Sequence, residues 1–169
     1  MKQKNTNIAK KICLIGRFAV GKTCLVRRFV TQQFSHKYQT TVGVSISTKN
    51  ICINNVDMSM VIWDIAGFEQ DGHYVHYLRG VHGIIWVVDG TESESYTILK
   101  EISGTLPEIK NVPSICFINK CDLVNEWRIT NRHINKLKLF NDKVITCSAK
   151  TGENVEEGFQ SLACLLLRQ

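Results

Sequence analysis

The sequence predicts an α/β fold built on a mostly parallel sheet. Three observations lead there. Strand-like stretches alternate with segments of helical periodicity along most of the chain, the order a parallel sheet requires. Two of the strands, at 83–89 and 114–118, are unbroken apolar runs, which suits strands covered on both faces. A third strand runs directly into GRFAVGKT at 16–23, which reads Gly, four residues, Gly-Lys-Thr, and a helical pattern follows at once. A loop of that pattern between strand and helix wraps a chain of phosphates.

Taken in order, residues 1–8 read as a flexible basic N-terminus with Lys2 and Lys4, and 9–169 as one domain. A strand is expected at about 10–16 and a helix at 22–33. The stretch FSHKYQTTV at 34–42 is polar and turn-like. Alternating segments on either side of Asn54-Asn55 predict a hairpin over 44–53 and 58–63. Residues 65–80 are irregular and rich in Gly and His. Beyond the 83–89 strand come a helix at 92–106, the strand opened by Pro113, a shorter helix near 130–139, a strand near 143–147 and a terminal helix at 154–168. There is no internal repeat.

Composition narrows the class. At 169 residues and 44% hydrophobic content the chain holds one well-filled core, and with only 2 Pro it lacks the signature of long linkers. Its apolar runs are too short to cross a bilayer as a helix, and no secretory leader is evident. Seven cysteines, an odd number with no C-x-x-C pair, read as reduced thiols in a cytosolic core, not as disulfides or a zinc site. The net charge of +6 favours anionic partners such as nucleotide phosphates or acidic membrane, and no nucleic-acid motif accompanies it.

The remaining polar clusters fall where strands end. In the loop at 16–23, Lys22 would reach the outer phosphates and Thr23 would bind Mg²⁺. Asp64, closing a strand as Trp63-Asp64-Ile65-Ala66-Gly67, can hold Mg²⁺ through water, and Gly67 can offer its N–H to a terminal phosphate. Thr40 or Thr41 could complete the metal shell. Asn119-Lys120-Cys121-Asp122 follows a buried strand, where the Asp122 carboxylate can accept two hydrogen bonds from guanine and would be left unpaired by adenine. Ser148-Ala149-Lys150 can present a backbone N–H to the guanine oxygen. Each cluster alone has a plainer reading, such as a glycine turn, a strand end or a β-propensity pair; their order after successive strands is harder to obtain by chance.

Those five motifs together resemble the small GTPases of the Ras superfamily, closest to the Rab branch, over about residues 9–168. GRFAVGKT resembles the family's first motif, Thr41 in TTVGV its second, WDIAG its third, NKCD its fourth and SAK its fifth; Tyr77-Leu78-Arg79-Gly80 resembles the Rab segment after the second switch. The resemblance implies a P-loop G domain with a six-stranded sheet and five helices. It implies nucleotide contacts from Gly16, Arg17, Phe18, Ala19, Val20, Gly21, Lys22, Thr23, Cys24, Phe34, Tyr38, Thr41, Gly67, Asn119, Lys120, Asp122, Ser148, Ala149 and Lys150. Mg²⁺ would sit on Thr23, Thr41 and, through water, Asp64, and Lys22, Thr41 and Gly67 would serve catalysis. Two switches, 34–46 and 65–80, would recruit effector proteins in the GTP form, with an exchange factor and a GTPase-activating protein as further partners and a cytoplasmic or peripheral membrane location.

The chain departs from that pattern in ways that bear on chemistry. Phe68 occupies the position of the glutamine that orients the attacking water, with Glu69, Gln70 or His73 as substitutes for it. Phe18 and Ala19 stand where the family has small residues, and a bulky Phe18 could obstruct an arginine finger or simply pack aside. Ile46 replaces a usual Phe of the effector patch, whose apolar part would otherwise be Trp63 and Tyr77. The given chain ends Leu-Leu-Leu-Arg-Gln without the cysteines of a prenylated tail, so it is either shortened or not prenylated. The expectation is a GTP/GDP switch with slow hydrolysis; the rivals are a GTP-loaded binding module without significant hydrolysis and a P-loop ATPase or nucleoside kinase, which Asn119 and Asp122 disfavour.

Overall fold

The computed structural model describes residues 8–35, 40–67, 73–97, 99 and 109–168. Six strands, β1 (Ile8–Ile15), β2 (Val44–Ile53), β3 (Val56–Ile65), β4 (Gly83–Asp89), β5 (Ser114–Asn119) and β6 (Lys143–Thr146), form one sheet in the order β2-β3-β1-β4-β5-β6. Only β2 runs antiparallel, joined to β3 with Ile53 opposite Val56. The other neighbours are parallel. The expected turn at Asn54-Asn55 holds, with both residues in the left-handed region at φ 51° and 62° as a two-residue hairpin of this twist demands.

Three α-helices are described: α1 (Lys22–Thr31), α2 (Asn131–Lys138) and α3 (Val155–Leu166). The first ends two residues short of expectation because Gln32 turns left-handed, at φ 59°, and its N–H caps the Arg28 carbonyl. Thr130 and His133 close a reciprocal capping box at the start of α2. The helix expected over 92–106 does not begin at 92: residues 93–96 form turns, with the Ser95 N–H donating to the Glu92 carbonyl, and the remainder lies largely outside the described residues.

The apolar runs are explained by two cores, one on each face of the sheet. Ile12, Leu14, Ile85, Val87, Ile115 and Phe117 face α1 and α3. The alternate residues Cys13, Ile15, Ile84, Trp86, Cys116 and Ile118 pack on the other face with Leu78, Ile109 and Leu137. A strand buried on both faces has no polar position to spare, so it reads as continuous hydrophobicity. On the first face Phe29 of α1 stacks on Phe159 of α3 with ring centroids 3.9 Å apart.

All seven cysteines are free thiols. Cys13, Cys116 and Cys147 are buried, and burial pushes the Cys13 thiol up to about 12. Cys52 corrects the expectation of a core position: it lies on the edge strand β2 and is exposed.

Gly158 lets α3 approach the sheet closely at Phe117. A Cβ there would lie 2.1 Å from Phe117 Cε1. We predict that Gly158→Ala lowers stability by about 1–3 kcal/mol despite alanine's better helix propensity, because overpacking outweighs it; urea unfolding followed by circular dichroism measures this, and an unchanged midpoint would show that the ring moves aside at no cost.

Candidate nucleotide site

The carboxyl ends of β1, β3, β4 and β5 open together on one edge, and a cavity of about 320 Å³ lies there. Its phosphate-loop wall starts with two glycines whose missing side chains are required. A Cβ on Gly16 would lie 2.4 Å from the Val87 carbonyl oxygen, and one on Gly21 would lie 2.3 Å from Asn119 Nδ2. Gly21 is also left-handed, at φ 98°, and is the N-cap of α1. No side chain caps that helix and no acidic residue sits in its first turn. A helix N-terminus without its own cap offers N–H groups and a positive end to an anion.

Lys22 folds back across this loop. Its Nζ donates to the carbonyls of Gly16 at 2.9 Å and Arg17 at 3.0 Å. Burial drives its pKa down to about 8, with Asp64 pulling the other way. Thr23, one residue on, places Oγ1 at 2.5 Å from Asp64 Oδ2 and 2.7 Å from Thr41 Oγ1. Asp64 is buried at the end of β3, and burial raises its pKa against the hydrogen bonds from the two threonines and the charge of Lys22. Its second oxygen, Oδ1, is buried with no hydrogen-bond partner among the described residues. Two hydroxyls beside a half-satisfied carboxylate form a hard-oxygen donor set, the kind that suits Mg²⁺ and leaves room for water.

The far wall is organised by Asn119, 2% exposed at the end of β5. Its Nδ2 donates to the Val20 carbonyl at 2.9 Å, and its Oδ1 accepts from the Ala149 N–H at 3.0 Å. Ser148 Oγ donates to Asp122 Oδ1 at 2.6 Å, and Lys150 Nζ stands 3.9 Å from Asp122 Oδ2. Lys120, left-handed at φ 71°, pairs with Asp89 at the end of β4. The expected residues therefore converge. Phe18, Ala19, Gly21, Lys22, Thr23, Cys24, Phe34, Thr41, Gly67, Asn119, Lys120, Asp122, Ala149 and Lys150 all line the cavity. Gly16, Arg17, Val20, Asp64 and Ser148 stand behind that lining and hold it through the bonds just given. Tyr38, Phe68, Glu69 and Gln70 lie outside the described residues.

Several contributors were not anticipated. Asp89 anchors Lys120, and Arg28 of α1 donates to the carbonyls of Ala149, at 2.9 Å, and Lys150, clamping that loop from below. Arg17 itself was expected at the loop, but its hydrogen bond from Nη2 to Thr97 Oγ1 at 3.0 Å was not. A lone carboxylate closing the buried run at 83–89 was a legible signal for Asp89; nothing local marked Arg28. Phe18 is 56% exposed, and its backbone is pressed against Gly67, where a Cβ would lie 2.6 Å from Phe18 Cα.

A six-stranded sheet with one antiparallel edge strand, a glycine loop between β1 and α1, and polar loops after β3, β5 and β6 define the G-domain class of P-loop nucleotide-binding proteins. Comparison with known proteins agrees. Residues 11–168 match the model of the Ras family. Ras-related protein Rab-1D of Dictyostelium discoideum is 36% identical over 160 residues, covering 90% of this chain and 77% of that protein. Ras-related protein Rab-33A of Mus musculus is 35% identical over 170 residues, 94% of this chain and 71% of the other, and Rab-13 of Bos taurus 32% over 157 residues, 90% and 77%. The chain belongs to the Ras family and is a Ras-superfamily GTPase of the Rab-like kind.

The Asn119 brace can be tested directly. Asn119→Ala leaves the Val20 carbonyl and the Ala149 N–H without their partner, and we predict a loss of about 2–4 kcal/mol, since each unsatisfied buried group costs about 1–3 kcal/mol. Urea unfolding of the ligand-free protein checks it; a loss under about 1 kcal/mol would show that water replaces the amide.

Proposed function

We propose that this chain is a guanine-nucleotide switch that binds GTP and GDP with Mg²⁺, recruits effectors in the GTP form and hydrolyses GTP slowly. The observation that carries the reading is one cavity holding both a phosphate loop with Lys22 at its centre and Asp122 at the base end, joined by Asn119. In this reading the uncapped start of α1 and Lys22 take the phosphates, and Phe34 lies along the base. Thr23 and Thr41 would ligate Mg²⁺ directly, with Asp64 acting through water; the unpartnered Asp64 Oδ1 supports that assignment. Mg²⁺ would supply charge neutralisation on the outer phosphates. Thr41 belongs to the first switch, so its contact with the metal would tie that segment to the γ-phosphate, and Gly67 would tie the second.

Base selectivity follows from the state of Asp122. It is 14% exposed in its side chain and is held from behind by Ser148. A carboxylate so oriented accepts the N1–H and amine of guanine, whereas adenine leaves it unpaired. We expect Asp122→Asn to lose GTP by about 1–3 kcal/mol in affinity, the cost of a mismatched polar group, and to gain xanthosine triphosphate. Equilibrium competition between GTP, XTP and ATP reads this out, and wild-type protein that bound ATP as tightly as GTP would remove the assignment.

A second reading, a GTP-loaded binding module without significant hydrolysis, is favoured by Phe18, which is 56% exposed on the cavity wall beside Gly67. A bulky ring exposed there would obstruct an arginine from an activating protein that approached across it, and Phe68 in the neighbouring segment has no hydrogen-bonding group to orient water. Phosphoryl transfer relies on positioning and electrostatics, so a missing positioner removes rate while sparing affinity. We predict that Phe68→Gln raises single-turnover phosphate release on the order of 10-fold, about 1.4 kcal/mol of barrier, with GTP affinity unchanged. Release measured from preloaded wild type, Phe68→Gln and Gln70→Ala decides it: a fast wild type slowed by Gln70→Ala would mean that the water-positioning group has moved to Gln70.

A further inference from the structure

We propose that the surface around Leu139 and Phe140 docks the protein onto a bilayer containing anionic phospholipid. This rests on the geometry of the sheet's other end and not on the nucleotide reading. Leu139 is 80% exposed and Phe140 44% exposed, two adjacent apolar side chains at the C-terminal end of α2. They border a depression of about 460 Å³ that Lys110 and Arg168 also line. Lys138 precedes the pair and is exposed as well. Lys110, Lys138 and Arg168 form no ion pair among the described residues, whereas the nearby Lys143 is engaged by Glu157 at 2.9 Å.

Among the described residues that line the depression there is one carboxylate, the exposed Asp142. Asp142 Oδ2 accepts the Ser114 N–H at 2.8 Å. With Lys110 and Arg168 against that one carboxylate, the described lining is net cationic around a protruding apolar pair. On the wall of the depression Asn141 donates from Nδ2 to the Leu137 carbonyl at 2.8 Å, and its buried Oδ1 has no partner among the described residues. The two cations of the lining complement the anionic oxygens of a phospholipid headgroup such as that of phosphatidylserine. Apolar side chains beside lysine and arginine fit an interface where the former enter the acyl boundary and the latter meet phosphate. A protein partner would ask for a larger apolar centre than two side chains.

The placement suits the rest of the molecule. The depression lies where β5 begins, and the nucleotide cavity lies where β5 ends, about 17–20 Å away along a six-residue strand. The patch borders β5 and β6, at the opposite side of the sheet from β2 and β3. A molecule lying on this patch keeps both the nucleotide cavity and the β2–β3 face open to solution.

The test is co-sedimentation of the full chain with phosphatidylcholine vesicles, with and without phosphatidylserine. Wild type is expected to bind only the anionic vesicles and to release them as salt rises. Lys110→Glu/Arg168→Glu should weaken that binding at least ~10-fold, since each cation near the surface is worth roughly 5-fold. Leu139→Ser/Phe140→Ser should weaken it several-fold. A double reversal elsewhere, Lys10→Glu/Arg79→Glu, should bind as wild type does, and the thermal midpoints should match, because the altered side chains of the patch are exposed. Equal binding by wild type and both patch variants overturns the proposal. So does an equal loss in the Lys10/Arg79 control, which would indicate net charge alone, and so does capture of an acidic polypeptide by the patch with no vesicle binding.

Discussion

Everything at the nucleotide edge depends on one buried side-chain amide. Asn119 donates to Val20 in the phosphate loop and accepts from Ala149 in the loop after β6, 99 and 30 residues away in the chain. Gly21 has no side chain because Asn119 occupies that space. A buried amide left without partners is costly, so only one mutual placement of these three loops satisfies it. That placement sets the distance between the two ends of the cavity, the phosphate loop and Asp122. The parallel pairing of β1, β4 and β5 brings the loops near; the amide then locks them.

The site also stores an unresolved balance of charge. Lys22 and Asp64 are both buried, and burial disfavours the charged form of each. Their mutual attraction offsets this in part. Carbonyls hold the ammonium and threonine hydroxyls hold one carboxylate oxygen, while the other oxygen has no hydrogen-bond partner among the described residues. A ligand bringing an anion to Lys22 and a cation to Asp64 would relieve both at once, which is the electrostatic sense of the proposed magnesium–nucleotide complex. The uncapped helix α1 points the same way, since its first N–H groups look to a ligand for the partner that a side chain normally provides.

Phe18 and Phe68 give this Rab-like protein its individual character. A phenylalanine stands in the phosphate loop where the family has small residues, and another where the water-positioning glutamine is usual. Gly67 can approach the loop only because it lacks a Cβ, so the segment after β3 and the phosphate loop are packed backbone to backbone at Phe18. On the proposed reading, departures at both positions lengthen the life of the GTP state, and the effector face, with Ile46 53% exposed and Val42 89% exposed, is presented for longer.

The sequence by itself determined the α/β class, the two-face burial of the 83–89 and 114–118 runs, the hairpin at Asn54-Asn55 and most of the residues that line the cavity, though not Arg27, Ser35 or Leu123. These were legible because they rest on local physics: periodicity reports burial, paired asparagines tolerate left-handed turns, and glycine spacing reports close backbone approach. The ends of elements were less so. Helix α1 stops at Thr31 because Gln32 takes a left-handed cap, and Cys52 is exposed because on the edge strand β2 it faces away from the side on which Ile51 and Ile53 pack. Only the tertiary structure decided which side chains support the site from behind. Arg28 reaches the Ala149 loop across 121 residues, Arg17 reaches Thr97 across 80, and Asp89 meets Lys120 at the ends of adjacent strands. Such contacts depend on strand order, and strand order is set by which apolar faces can be buried together, a property of the whole chain and not of any stretch within it.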